Sequence, residues 1–365
     1  MAVPDRQRAD GRWSVLRTCA QSGSGDPGFQ RKIAASARRA ADCVGCRLIL
    51  IRRACRASCG VVTPVRSHPS RVAWLGACVL AARPKTLPAA IVPVWAGCVL
   101  AWSRSGAVDW LLAAFTLVGA LCIQMATNCF NDAIDARKGA DTAVRVGPLR
   151  VTASGLLAPR AVMTLGFAFL LAALLCGVPL HAARGWPVIA IGVPSMFLAY
   201  GYTGGPFPLA YRGWGEVFVI LFFGFVAVAG TVFIQTGEWP REAWLLGGQI
   251  GLLSAVLISI NNLRDRAEDA VTGKRTLAVR FGPKAAVALI WIEIKFAAFA
   301  GLLWIPLGRA GWVLAGLPVL LLGTRILWGV FTEPPGPAFN RLLGLAALAL
   351  LSFAVAFHLI ALRSA

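Results

Sequence analysis

Charge is scarce in this sequence. Asp, Glu, Lys and Arg make up 14 % of its 365 residues, where a soluble globular domain carries about 25 %. That shortage excludes a water-exposed surface over most of the chain. Residues 1–72 lack the opposite ingredient. Their longest apolar stretch is residues 48–51, too short for the apolar region of a secretory signal, which needs about 7–15 residues. Without hydrophobic periodicity this segment has nothing to build a core from. What it does hold is arginine. We expect residues 1–72 to be a basic, disordered extension, a targeting segment or sequence translated ahead of the true start, and residues 73–365 to be a single membrane domain.

The ten cysteines exclude less than their number suggests. Cys43 and Cys46, then Cys55 and Cys59, have the spacing of a zinc site. They sit among Arg and Ala with no helical or hairpin frame to hold them, and a disulfide framework is no better supported. Cys78, Cys98, Cys122, Cys129 and Cys176 fall in or near apolar helices.

What is abundant is apolar sequence, at 58 % of the chain. Runs of about 20 apolar residues, enough to cross a bilayer as a helix, recur from Leu87 onward. They predict nine spans, near residues 87–103, 109–131, 161–181, 187–203, 215–235, 243–263, 285–306, 311–331 and 341–362. The loops after the second and sixth spans concentrate Arg137, Lys138, Arg145, Arg150 and Arg160, and Arg264, Arg266, Lys274, Arg275, Arg280 and Lys284. The opposite loops offer one Arg each. By the positive-inside rule both rich loops face the cytoplasm. Net charge is +20, but in the membrane body it sits in loops, where it sets topology or meets an anionic substrate rather than nucleic acid.

Those two loops also hold acidic residues at helical spacing. Asn128, Asp132 and Asp135 are four and three apart, followed by Asp141; Asp265 and Asp269 are four apart. Positive-inside topology accounts for Arg and Lys at such positions but not for the aspartates. Hard oxygen ligands ending two helices on one side suit Mg²⁺, which is commonly held by one or two carboxylates plus phosphate oxygens. The interleaved Arg and Lys suit a diphosphate. Glu293 and Lys295 lie inside the seventh span, where ionisable groups are rare. Two residues apart on a helix they face different ways, so we expect interhelical polar contacts there, outside the active site.

Residues 82–94 (ARPKTLPAAIVPV), 131–142 (NDAIDARKGADT), 145–148 (RVGP), 152–155 (TASG), 261–265 (NNLRD) and 273–280 (GKRTLAVR) together carry a family likeness. From about Arg83 to the C-terminus the chain resembles the UbiA superfamily of membrane prenyltransferases. Within it, the six-residue step from Asp135 to Asp141 is similar to the branch that uses 1,4-dihydroxy-2-naphthoate. The resemblance implies an all-α membrane protein, a nine-helix bundle with a central cavity beneath cytoplasmic cap loops, embedded in the cell's inner (plasma) membrane. It implies transfer of a polyprenyl group from polyprenyl diphosphate to 1,4-dihydroxy-2-naphthoate, with loss of CO₂ and diphosphate and with Mg²⁺ as cofactor.

The family's first motif maps onto Asn128, Asp132, Asp135 and Asp141, and its second onto Asp265 and Asp269. Arg137, Lys138, Arg145, Lys274 and Arg275 are the candidates beside the diphosphate. Arg83 and Lys85 are candidates for the acceptor's carboxylate, and Tyr202 for a position facing the prenyl cation. Other aromatic acceptors, 4-hydroxybenzoate or homogentisate, are the nearest alternatives. A membrane transporter is a remoter one; it predicts ionisable groups near the bilayer midplane and repeat symmetry between halves.

Overall fold

A computed structural model describes residues 71–139, 147 and 150–364. The basic extension with its four closely spaced cysteines, and Asp141 and Arg145, lie outside the described residues. Every regular element among the described residues is helical.

α1 (Arg71–Ala82) leads through a 3₁₀ turn (Pro84–Thr86) into α2 (Pro88–Ser105), and the two axes meet at 54°. The break is local chemistry. Arg83 takes left-handed dihedrals (φ 55°, ψ 71°) immediately before Pro84, whose ring disfavours right-handed helix in the residue ahead of it. α3 (Trp110–Lys138) follows, then α4 (Pro159–Arg184) and α5 (Trp186–Gly201). α6 (Gly215–Thr236) is π-helical over Ile220–Ala229, and α7 (Arg241–Arg264) is followed by the short α8 (Arg266–Val271). α9 (Leu277–Phe299), α10 (Leu317–Thr332) and α11 (Phe339–Ser364) complete the bundle, with 3₁₀ turns between α9 and α10.

All nine predicted spans are helical, but they are not equal. Seven helices are long and apolar enough to cross a membrane, and α1 with α2 makes an eighth only as a bent pair. α5 has 16 residues, about 24 Å of helix against a hydrocarbon core of about 30 Å. The count of nine therefore rests on α5, which falls short by length, and on α2, which qualifies only together with α1. α1 itself was not expected, because a twelve-residue helix is lost in a window of span length.

α7 is the most buried span, with 67 % of its apolar stretch enclosed. α6 packs on it through glycines: a Cβ on Gly224 would lie 2.3 Å from the Gly247 carbonyl oxygen and 2.8 Å from the Gly251 Cα, so only glycine permits this approach. On the far side, Trp304, Trp312, Phe353 and Phe357 form an aromatic core. Glu293 on α9 accepts a hydrogen bond from Ser259 Oγ on α7 (2.8 Å), the interhelical contact expected of it.

Candidate active site

α3 is capped at its start by Asp109, whose carboxylate accepts from the Leu111 and Leu112 amides, and ends at Gly139 in the left-handed region. Its 29 residues make about 44 Å of helix, longer than the hydrocarbon core, so the polar turns ending at Lys138 reach beyond it. α7 ends at Asp265. Both ends open into one cavity of about 1520 Å³. Asn131 and Asp135 of α3, Asp265, Glu268 and Asp269 after α7, and Arg83 and Lys85 of the first turn line its polar end. The remainder is walled mainly by apolar residues, among them Phe218, Phe222 and Val226 of α6, and reaches His181 at the opposite end of α4. These α6 residues recur every fourth position. An α-helix would carry such a stripe round its axis, whereas the i→i+5 bonding of the π segment turns less per residue and keeps it facing inward.

Asp135 is the most heavily engaged carboxylate. Its Oδ1 accepts from the Tyr211 hydroxyl (2.8 Å); its Oδ2 accepts from Lys274 Nζ (3.0 Å) and Arg150 (3.4 Å). Two ammonium groups approach the Tyr211 ring, Lys138 at 3.9 Å and Lys274 at 5.3 Å from its centroid. Lys138 also donates to the Thr203 carbonyl (2.9 Å). Asp265 is held bidentately by Arg264 (2.7 and 2.8 Å), which also donates to Asn340 and Asn261. Asp269 is buried, and its carbonyl accepts from the Lys274 amide (2.9 Å).

Other expected residues lie elsewhere. Asp132 falls at the edge of the α3 stripe, outside the cavity wall. Both its oxygens accept backbone amides, Val151 at 3.1 Å and Thr152 at 2.9 Å. In this arrangement it braces the loop before α4. Asn128 lines the cavity, yet its amide donates to the Ala82 carbonyl and Thr86 Oγ1 (2.9 and 3.0 Å), pinning the turn that carries Arg83 and Lys85. Arg137 and Arg275 are exposed and outside the wall, whereas Arg150, Arg264 and Lys274 line it.

Asn131, Tyr211, Arg150 and Arg264 were missed as site residues. Asn131 had a signal, since it stands four residues before Asp135 on the same face; it accepts a hydrogen bond from the Thr203 hydroxyl. Tyr202 lines the cavity with its hydroxyl against Gly215.

The donor set fits a hard divalent cation shared with a phosphate ligand. Among the described residues no three Asp, Glu, His or Cys side chains converge tightly enough to hold an ion unaided. Separate carboxylates flanked by Lys and Arg instead leave coordination to be completed by phosphate oxygens, the usual arrangement for Mg²⁺.

Comparison with known proteins agrees with this architecture. Residues 90–334 match the UbiA prenyltransferase family model. The 1,4-dihydroxy-2-naphthoate octaprenyltransferase of Mycobacterium tuberculosis is 36 % identical, over 76 % of this chain and 94 % of its own length. The protein of that name from Bacillus subtilis is 34 % identical, over 76 % and 83 %. Among solved structures, the apo form of a UbiA homolog from Aeropyrum pernix superposes with a TM-score of 0.57 at 16 % identity, covering 75 % of this chain and 97 % of that one. A UbiA homolog from Archaeoglobus fulgidus bound to DMAPP and Mg²⁺ gives 0.52 at 14 %, covering 77 % and 98 %. At such identities these structures speak for the fold alone.

Proposed function

The chain belongs to the UbiA prenyltransferase family, and we propose that it transfers a polyprenyl group from polyprenyl diphosphate to 1,4-dihydroxy-2-naphthoate in menaquinone synthesis, releasing diphosphate and CO₂. The observation that carries this reading is the single cavity into which two acidic helix ends open, polar there and apolar along the rest of its length. The relatives named for naphthoate prenylation support the choice of acceptor.

In this reading Asp135, Asp265 and Asp269 supply the oxygen ligands for Mg²⁺, with Asp141 as a further candidate. When bound, Mg²⁺ supplies neutralisation of the charge that builds on the leaving diphosphate. Lys274 and Arg150, already poised on Asp135, donate to the phosphate oxygens, with Lys138 and Arg145 close by in sequence. Arg83 and Lys85 hold the acceptor's carboxylate at the cavity mouth. The apolar walls along α6 take the isoprenoid tail and exclude water, which would otherwise quench an allylic cation. Loop charge supports an acidic end at the cytoplasmic face of the inner membrane.

The test is transfer of radiolabelled prenyl diphosphate in membranes carrying the protein, with a panel of aromatic acceptors and with or without EDTA. Metal-dependent product with dihydroxynaphthoate is expected. Product with hydroxybenzoate but none with dihydroxynaphthoate sinks the acceptor, and undiminished transfer in EDTA sinks the metal.

A further inference from the structure

One buried acid in the cavity wall has no part in the chemistry above. Glu216, the second residue of α6, is 3 % exposed and lines the cavity. Its Oε1 accepts from Asn262 Nδ2 on α7 (2.9 Å). Its Oε2 is buried and has no hydrogen-bond partner among the described residues. Leaving a buried carboxylate oxygen unsatisfied is costly, so such an atom asks for a donor that arrives with a ligand.

The surroundings indicate where that ligand sits. Tyr202 lines the cavity, and its hydroxyl lies against Gly215, the residue before Glu216, where a Cβ would come within 3.1 Å of it. Tyr202 thus places a hydroxyl on the cavity wall beside the start of α6. Phe218 and Phe222, stacked at 5.8 Å, wall the cavity just below. A flat hydroxyaromatic fits this position, with a hydroxyl toward Glu216 and its ring facing the prenyl carbon. Glu293 also has one buried oxygen without a partner among the described residues, its other accepting from Ser259, but it does not line the cavity.

We propose that Glu216 is the base of the reaction, taking the proton of the acceptor's C1 hydroxyl, the one beside the carboxylate, and later returning it. This rests on the acceptor reading above. The ring carbon bearing the carboxylate bonds to prenyl C1 as the C1–O bond to diphosphate breaks. The C1 hydroxyl becomes a ketone, and its proton passes to Glu216 Oε2. The carboxylate then leaves as CO₂, and its bonding pair restores the aromatic ring. Glu216 gives the proton back to the same oxygen and ends the cycle unchanged. Asn262 keeps the carboxylate aimed by holding the other oxygen.

The experiment uses the full chain in membranes with three acceptors: 1,4-dihydroxy-2-naphthoate and its 1-methoxy and 4-methoxy ethers. General-base catalysis is worth roughly 10²–10⁴-fold, so Glu216→Gln should lose transfer by at least about 10²-fold. It should still bind a non-reactive prenyl thiodiphosphate like the wild type, and Glu216→Asp should recover part of the rate. The wild-type protein should use the 4-methoxy ether and reject the 1-methoxy ether. Transfer by Glu216→Gln within about threefold of wild type overturns the proposal. If Glu216→Gln fails to bind the thiodiphosphate, the wild-type ethers decide: equal rates for the two overturn it, and loss confined to the 1-methoxy ether supports it. Wild-type failure with dihydroxynaphthoate itself, alongside transfer to another acceptor, would instead remove the acceptor reading.

Discussion

Lys274 Nζ lies 3.0 Å from Asp135 Oδ2, joining the ends of α3 and of the α8–α9 loop across 139 residues of sequence. The pair sits at the polar end of the cavity with Arg150 on the same oxygen. In the proposed reaction the cations turn from Asp135 to the diphosphate as the carboxylate takes the metal. Lys274→Met should therefore raise KM for prenyl diphosphate by about tenfold, the weight of one charge-assisted contact. KM for the acceptor should change little. A matched rise in both constants in steady-state assays would count against a phosphate role.

Asp135 and Asp132 are three residues apart and should behave differently. Asp135→Asn should lower turnover on the order of 10²–10³-fold with the protein still inserted and folded. Asp132→Asn removes a charged acceptor from the Val151 and Thr152 amides and should cost about 1–3 kcal/mol of stability. Thermal unfolding in detergent beside turnover separates the two. Equal loss of turnover with unchanged stability would place Asp132 beside Asp135 in the metal site.

Gly224→Ala places a methyl 2.3 Å from the Gly247 carbonyl oxygen. Overpacking against backbone costs about 1–3 kcal/mol or more, and it would push α6, with Glu216, away from Asn262. We expect a lower unfolding temperature and weaker transfer together. An unchanged melting profile would show that α6 and α7 are less tightly joined than the glycine contact implies.

Membrane insertion and the positions of Asp135, Asp265 and Asp269 at helix ends were determined by the sequence alone. Apolar runs of span length leave lipid as the only suitable solvent, and acids at helical spacing in basic loops stand out against that background. Which way each acid points was decided by the tertiary structure. Asp132 and Asp135 differ little in sequence context, but the loop at Val151 meets one and Lys274 meets the other. Tyr211 reaches Asp135 across 76 residues, and Glu216 reaches Asn262 across 46. Such partnerships depend on how helices pack, and packing here turns on a glycine seam and a π-helical segment that local periodicity does not encode. Periodicity reports the burial of one helix face, whereas a site is made where several faces meet.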